Sequence, residues 1–316
     1  MSYKINKCPL CDSNKLHNLD NKLRNLSTYQ VIKCKNCELL FLDKIYYTSQ
    51  EQLDELYEEM YSEEYYKDGK NDILSNFKDK LPYQKIRKER IDSYLKQDSR
   101  VLDVGSGPGY FLEEIRDKVA KVSAIEKNTN ERFFVNENLN INCYKDCSSI
   151  KGVFDVIVLN QILEHIYDPI NFLKELKTVL AENGVFVIEV PSVKNPLVSL
   201  YKNNSFTNFW FQEPHLWYFS EKTLKMFLEK AFGASCVKSI NTFQESSFIN
   251  HYNWVIHNKK SKSRAQATTN SFPLTDIDDG PMHDRLEEIF VEFNIKYKDI
   301  LQDFGFGDTM LMVVKP

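Results

Sequence analysis

The chain has no long apolar run. Nothing in its 316 residues approaches the ~20 consecutive apolar residues that a membrane-spanning helix needs. The opening residues, MSYKINKCP, contain no apolar core, which argues against a secretory signal. There is no surplus of positive charge either. The formal net charge is -4, so the chain as a whole does not attract a polyanion. A disulfide framework is also missing. Of seven cysteines, four sit in two close pairs and three are scattered, a pattern that does not suit an oxidising compartment. No repeat of solenoid period is visible. These absences point to a cytoplasmic protein. Hydrophobic residues make up 42% and charged residues 27%, which suits a globular chain with one large domain and a small one.

The paired cysteines come first. Cys8-x-x-Cys11 is followed, after twenty-two residues, by Cys34-x-x-Cys37. Two CxxC turns at this spacing suit one tetrahedral zinc site. Four sulfur ligands fill the coordination shell and leave no place for water or substrate, so the expected role is structural. The runs YQVIKC and LLFL predict a ribbon around the site, and residues 1–45 are read as a zinc-binding module. Residues 46–80 follow as an acidic, tyrosine-rich linker or lid. Its helical spacing runs through Leu53, Leu56, Tyr57 and Met60.

Residues 81–316 carry a different pattern. RVLDVGSGPGYFLEEI reads as a short buried strand, a glycine turn and an amphipathic helix beginning near Tyr110. Gly105, Gly107 and Gly109 permit positive φ and let the backbone approach a ligand closely. The spacing is G-x-G-x-G, with Asp103 before it. It departs from the dinucleotide fingerprint G-x-G-x-x-G, because Tyr110 stands where the last glycine belongs. A second strand, KVSAIEK, ends at Glu126, where a carboxylate can accept both hydroxyl hydrogens of a ribose. INCYKDCSSI predicts a third strand with Asp146 in the following loop. VFDVIVLNQILEHIYDP gives a fourth, running into Asn160 and Gln161. Glu164 and His165 beyond it read as packing residues at the start of a helix. That helix, INFLKELKTVLAENG, is expected to stop at Gly184, and GVFVIEVP supplies a fifth strand. Strands alternating with helices imply an α/β fold with a doubly wound sheet, ligands binding at the carboxyl ends of its strands.

The glycine turn with its preceding acid resembles motif I of class I S-adenosylmethionine-dependent methyltransferases. The resemblance implies a seven-stranded Rossmann-like sheet whose last strand is antiparallel. It also implies S-adenosylmethionine as cofactor, with S-adenosylhomocysteine as its product. The cofactor would be held by Asp103, Gly105, Gly107, Gly109, Tyr110, Glu126, Asn160 and Gln161, with Asp146 beside the adenine. The segment QEPHLWYFS, in a long aromatic-rich stretch at 191–220, resembles the E-H-L-x-x-F-S segment of bacterial sugar and surface-glycan methyltransferases. Those enzymes share this plan, a zinc module before a methyltransferase domain. By that likeness His215 is the expected general base, with Glu213 and Tyr218 as helpers. Here Pro214 separates Glu213 from His215, so the base role falls to one or the other.

Ser220 fits as the N-cap of a helix with Leu224, Phe227 and Leu228 on one face. ASCVKSINTFQ and GDTMLMVVKP suit the last two strands. Between them residues 250–303 form an insertion, a polar stretch and then a helix from about Met282 to Gln302. It would cover substrate or form a homodimer contact. The expected partner is a small molecule, a sugar nucleotide or glycan precursor. An RNA methyltransferase with the zinc module as its RNA-binding element is the alternative. It lacks a basic overall balance, an N-P-P-Y segment after strand four and a Pro-Cys nucleophile. A non-catalytic scaffold is disfavoured by the intact Asp103, Gly105, Gly107 and Glu126, and a nicotinamide dehydrogenase by Tyr110.

Overall fold

The computed structural model describes residues 7–24, 28–46, 48–55, 58, 73, 77, 81, 84–262, 264–271 and 280–316. The small N-terminal sheet contains β1 (Leu16–Asn18), β2 (Val31–Cys34) and β3 (Leu40–Leu42). Then come α1 (Gln84–Ile91), β4 (Arg100–Val104), α2 (Tyr110–Ile115), β5 (Lys121–Ile125), α3 (Thr129–Glu137) and β6 (Cys143–Tyr144). They are followed by β7 (Phe154–Asn160), α4 (Pro169–Lys177) and β8 (Leu180–Pro191). The stretch beyond holds α5 (Pro196–Ser199), α6 (Asn204–Trp210), β9 (Trp217–Tyr218), α7 (Glu221–Phe232) and β10 (Val237–Phe243). The last elements are α8 (Phe248–His257), α9 (Arg264–Thr268), α10 (Pro281–Asp303) and β11 (Thr309–Val314).

Among the described residues seven strands make the large sheet, in the order β10-β11-β8-β7-β4-β5-β6. β6, β5, β4, β7 and β8 run parallel, whereas β11 is antiparallel to both β8 and β10. This is the Rossmann-like arrangement that the strand pattern predicts. The sequence explains its middle. β4, β7 and β11 are near-continuous apolar runs, as a sheet covered on both faces demands, and β11 is buried at every position. The strand order switches sides at β4, with β5 and β6 on one side and β7 and β8 on the other, so the crevice opens above the carboxyl ends of these parallel strands.

Local signals place most helix ends. Gly109 stands before α2 with φ +88°. Asp168 caps α4 by accepting from the Asn171 N–H, with Pro169 in the first turn. Ser220 and Thr223 form a reciprocal capping box on α7. The fourth helix is shorter than its sequence pattern suggests. α4 ends at Lys177, and Gly184 lies inside β8 rather than at a helix stop. Leu180 pairs with Phe154 and Val185 with Val156, so the register shifts across 181–184 and the strand absorbs them. Of the helical positions predicted in the 46–80 linker, Leu53 packs against the main core, while Leu56, Tyr57 and Met60 lie outside the described residues. No helix among the described residues is long and apolar enough to cross a membrane.

The small sheet is completed from far along the chain. Its order is β1-β2-β3-β9, with Leu40 opposite Tyr218 and Phe41 opposite Trp217. Beyond that register the Leu42 N–H donates to the Leu216 carbonyl at 2.9 Å. Cys8, Leu39 and Phe41 share one apolar core with Leu102, Ile188 and Phe227 of the large sheet and its helices. The cysteine-bearing segment is thus docked on the rest of the protein through apolar contact.

Candidate active site

A crevice of ≈ 1140 Å³ runs along the carboxyl ends of β4, β5 and β7. Its near wall is the glycine turn. Gly105, Gly107 and Gly109 all have positive φ, at +69°, +55° and +88°. At Gly105 an added Cβ would stand 2.1 Å from Ile162 Cδ1, so the turn needs hydrogen there for packing as well as for conformation. Glu126 follows β5 and is buried. Its Oε2 accepts from the Gly107 N–H and its Oε1 from the Asn128 N–H, both at 2.8 Å. Burial raises its carboxyl above the usual range, and those N–H groups oppose the rise. Asp103 is also buried. Loss of solvent pushes its carboxyl up to about 7, against the pull of Arg87 and with a push from Glu126. Glu131 on α3 completes the acidic wall. Asn160 ends β7 with its amide nitrogen buried and without a hydrogen-bond partner among the described residues. A crevice with these acids, an unsatisfied donor and a close-approach turn fits a cationic nucleoside such as S-adenosylmethionine.

Asp146 does not join this wall. It is exposed, accepts from the Ser148 N–H at 3.0 Å, and caps the turn at Cys147–Ser149. Tyr110 lines the crevice and stacks on Phe77 with ring centroids 5.3 Å apart. Gln161 has φ +59°, and its side-chain amide donates to Glu189 Oε1 at 3.2 Å.

His215 lines the crevice together with His165, Glu164 and Gln212. The His215 ring stands edge-on to His165, with centroids 4.7 Å apart and planes at 85°. Gln212 Nε2 lies 2.7 Å from His215 Nε2. Burial first, then the charges of His165 and Arg24, hold the His215 imidazole well below its ordinary pKa. Burial likewise lowers His165 to about 4, and pushes the neighbouring Glu164 carboxyl up to about 8. Both rings are therefore neutral near pH 7, with lone pairs to offer. Glu213 and Tyr218 are not among the crevice-lining residues. Glu213 pairs with Lys44, which follows β3, at 2.8 Å. The Tyr218 hydroxyl accepts from the Gln212 backbone N–H and donates to its carbonyl, each at 3.0 Å. Both side chains hold the loop that presents Gln212 and His215.

A family model described as "Methyltransferase domain" matches residues 79–238, half of the chain. The chain belongs to this methyltransferase family. No match was found among curated proteins. Solved structures similar to it include a SAM-dependent methyltransferase from Archaeoglobus fulgidus. The two are 21% identical with a TM-score of 0.46, over 75% of this chain and 94% of that one. Another is the plantazolicin methyltransferase BpumL in complex with SAH, at 17% identity and TM-score 0.43, covering 84% and 98% of the two chains. A third is coclaurine N-methyltransferase bound to N-methylheliamine and SAH, at 16% identity and TM-score 0.43, covering 75% and 72%.

The methyltransferase also carries its four paired thiols together. Cys8 Sγ lies 3.6 Å from Cys37 Sγ, and Cys11 Sγ lies 3.6 Å from Cys34 Sγ. Those separations are far too long for disulfides. They match the ~3.8 Å edge of a tetrahedron with ~2.3 Å metal–sulfur bonds. A hydrogen bond from Asn36 helps bring Cys11 down to about 7 against the effect of burial, while burial holds Cys37 up at about 11. The donor set fits zinc, whose charge would ionise all four.

Several crevice residues escape a reading of sequence pattern. Arg87 and Arg90, one turn apart on α1, reach the fully buried Glu189 at 3.3 and 2.9 Å. The available signal was the charge itself, a glutamate inside the apolar run FVIEVP. Glu164 and His165, expected to be packing residues, line the crevice instead. Nothing local distinguishes them, because their partner His215 is some fifty positions away.

Proposed function

We propose that this methyltransferase acts in the cytoplasm on a hydroxyl-rich small molecule, a nucleotide-linked sugar or surface-glycan precursor. One observation carries the reading. The crevice is continuous, and at ≈ 1140 Å³ it exceeds the ~300–1,000 Å³ of a single small-molecule site. The glycine turn, Asp103, Glu126, Asn160 and Gln161 serve the methyl donor, with Gly109 and Tyr110 leading into α2. Gln212, His215, Gln244, Glu245, Asn270 and Lys298 also line it, beside Ile86 and Phe243, and their polar groups are suited to the hydroxyls of an acceptor. Part of that set comes from the 250–303 insertion, which supports substrate cover as its role. The insertion's Lys298 is itself held in place, donating to the Thr268 carbonyl and to Asn270.

The donor brings a methyl group on a positively charged sulfur. The chain's residues align the acceptor with it and handle one proton. Alignment supplies most of the acceleration. His215, neutral by burial, accepts the acceptor's proton, and Gln212 holds the ring. Cys8, Cys11, Cys34 and Cys37 hold a structural zinc, which stiffens the sheet that supports this loop through β3 and β9. The test is a transfer assay with labelled methyl donor against a panel of nucleotide-linked hexoses. His215→Ala should keep donor affinity by calorimetry while turnover falls ~100-fold, the scale of a lost general base. Turnover near that of the wild type removes His215 from this role.

A further inference from the structure

Glu164 has a chemistry that methyl transfer alone leaves unused. It lies in the single turn Leu163–His165 just after β7. Its side chain is fully buried, and among the described residues no other residue donates a hydrogen bond to either carboxylate oxygen; only its own backbone N–H acts on it as a donor. Glu189, on the adjacent strand β8, makes the contrast. It is equally buried, but Arg87, Arg90 and the Gln161 amide all reach it. Arg87 acts on Glu164 only at longer range, without a hydrogen bond. A buried carboxyl group without a neighbouring donor escapes the cost of its charge by keeping its proton or by binding a cation, which displaces that proton.

Two imidazoles face it. His165 Nε2 lies 3.9 Å from Glu164 Oε1. The other ring nitrogen, Nδ1, stands 3.0 Å from the Pro214 carbonyl oxygen. A carbonyl only accepts, so Nδ1 carries the proton and donates, and the neutral ring keeps its lone pair on Nε2. This is the orientation that outer hydrogen bonds give to metal-binding histidines. His215 closes the group. One donor atom from each of Glu164, His165 and His215 lies within 4.8 Å of the other two. Neighbouring ligands on an ion with ~2.1 Å bonds sit ~3 Å apart, so modest side-chain rotation completes the set.

We propose that Glu164, His165 and His215 bind a divalent first-row transition ion, and that this ion holds an oxygen of the methyl acceptor. The second clause rests on the methyl-transfer reading above; the first does not. Two imidazole nitrogens and one carboxylate suit Mn²⁺, Fe²⁺, Co²⁺, Ni²⁺ or Zn²⁺ better than the all-oxygen shells of Ca²⁺ and Mg²⁺. Three protein ligands leave positions open toward the crevice. Gln212 must yield its contact with His215 Nε2 when the ion enters, and its amide is then free to turn to a bound oxygen. In the transfer step the acceptor hydroxyl, acidified by the ion, gives its proton to solvent water. The oxygen attacks the methyl carbon, the carbon–sulfur bond breaks, and its electron pair stays on sulfur. No oxidant or reductant is needed. His215 then acts as a ligand, and the proton goes to water instead of to its ring.

The experiment is a Mn²⁺ titration of the full chain, with S-adenosylhomocysteine present, read from the electron paramagnetic resonance signal of unbound Mn²⁺. A thiolate set is a poor competitor for this ion. The expected result is one Mn²⁺ bound per chain, with affinity at least tenfold weaker in Glu164→Gln and in His215→Gln. S-adenosylhomocysteine binding by calorimetry reports an intact fold in each variant, and His165→Gln replaces either one that fails this check. An unbound Mn²⁺ signal that wild-type protein leaves undiminished overturns the proposal. So does Mn²⁺ binding that none of the intact variants weakens. Failure of the metal leaves the methyl-transfer reading standing with His215 as base. Failure of wild-type protein to bind S-adenosylhomocysteine strikes that reading instead.

Discussion

Gly105→Ala tests the glycine turn directly. Gly105 sits at φ +69°, and an ideal Cβ there would be 2.1 Å from Ile162 Cδ1 and 2.7 Å from Ile162 Cγ1. Two costs add. A left-handed conformation costs an L-residue ~1–2 kcal/mol. Forcing a methyl into a packed site costs ~1–3 kcal/mol more. The total, ~2–5 kcal/mol, is a large part of the ~5–15 kcal/mol that holds a typical domain together. The displaced side chain belongs to Ile162, which lines the crevice close to Gln161 and Glu164, so those residues feel the push. S-adenosylmethionine affinity by calorimetry should fall at least tenfold, and the melting temperature should drop several degrees. Gly152→Ala is the control. Gly152 has φ +107° with nothing within 4 Å of an added Cβ, so it should lose stability but not affinity. In the double variant Gly105→Ala, Ile162→Ala the clash is gone and only the backbone cost remains. The pair should therefore be non-additive by ~1–3 kcal/mol. Wild-type affinity in Gly105→Ala, or strict additivity in the double variant, refutes the reasoning.

Two further outcomes follow from charge and from metal. Asp103 titrates in the fold at about 7, well above the ~3.9 of an unfolded chain. Stability from its protonated form is complete below pH ~4 and is lost as pH rises toward 7. A cationic donor favours the ionised form, so binding should release protons near neutral pH and tighten between pH ~6 and ~8. Calorimetry in buffers of different ionisation heat measures this release. Asp103→Asn should abolish it, and an unchanged release would point to another group. Cys37→Ser should remove the zinc, measurable as metal content. Structural zinc contributes ~10–16 kcal/mol of apparent binding free energy in small modules, enough to decide whether the segment folds. Because β3 templates β9 and Lys44 holds Glu213, the loss should raise the acceptor KM and lower the melting temperature. The glycine turn and Glu126 should keep most of the donor affinity. An unaltered acceptor KM in zinc-free protein would mean that the module does not support the loop.

The amino-acid sequence by itself determined what short-range physics encodes. The apolar runs of β4 and β7, the glycines of the turn, the capping box of Ser220 and the two CxxC turns are each local patterns, and each folds where its pattern lies. Only the tertiary structure decided what these pieces meet. β3 finds β9 across roughly 175 positions, Arg90 finds Glu189 across 99, and His165 finds Pro214 across 49. No periodicity records such encounters, because they depend on how layers stack once apolar surface is buried. The same reason explains the displaced expectations. Asp146 turned outward to cap its own turn, while Glu213 took Lys44 as a partner. Glu164 looked like a packing residue until the fold enclosed it with two histidines and no hydrogen bond from another described residue. A side chain's chemistry is set by its neighbours, and the chain names those neighbours only by folding.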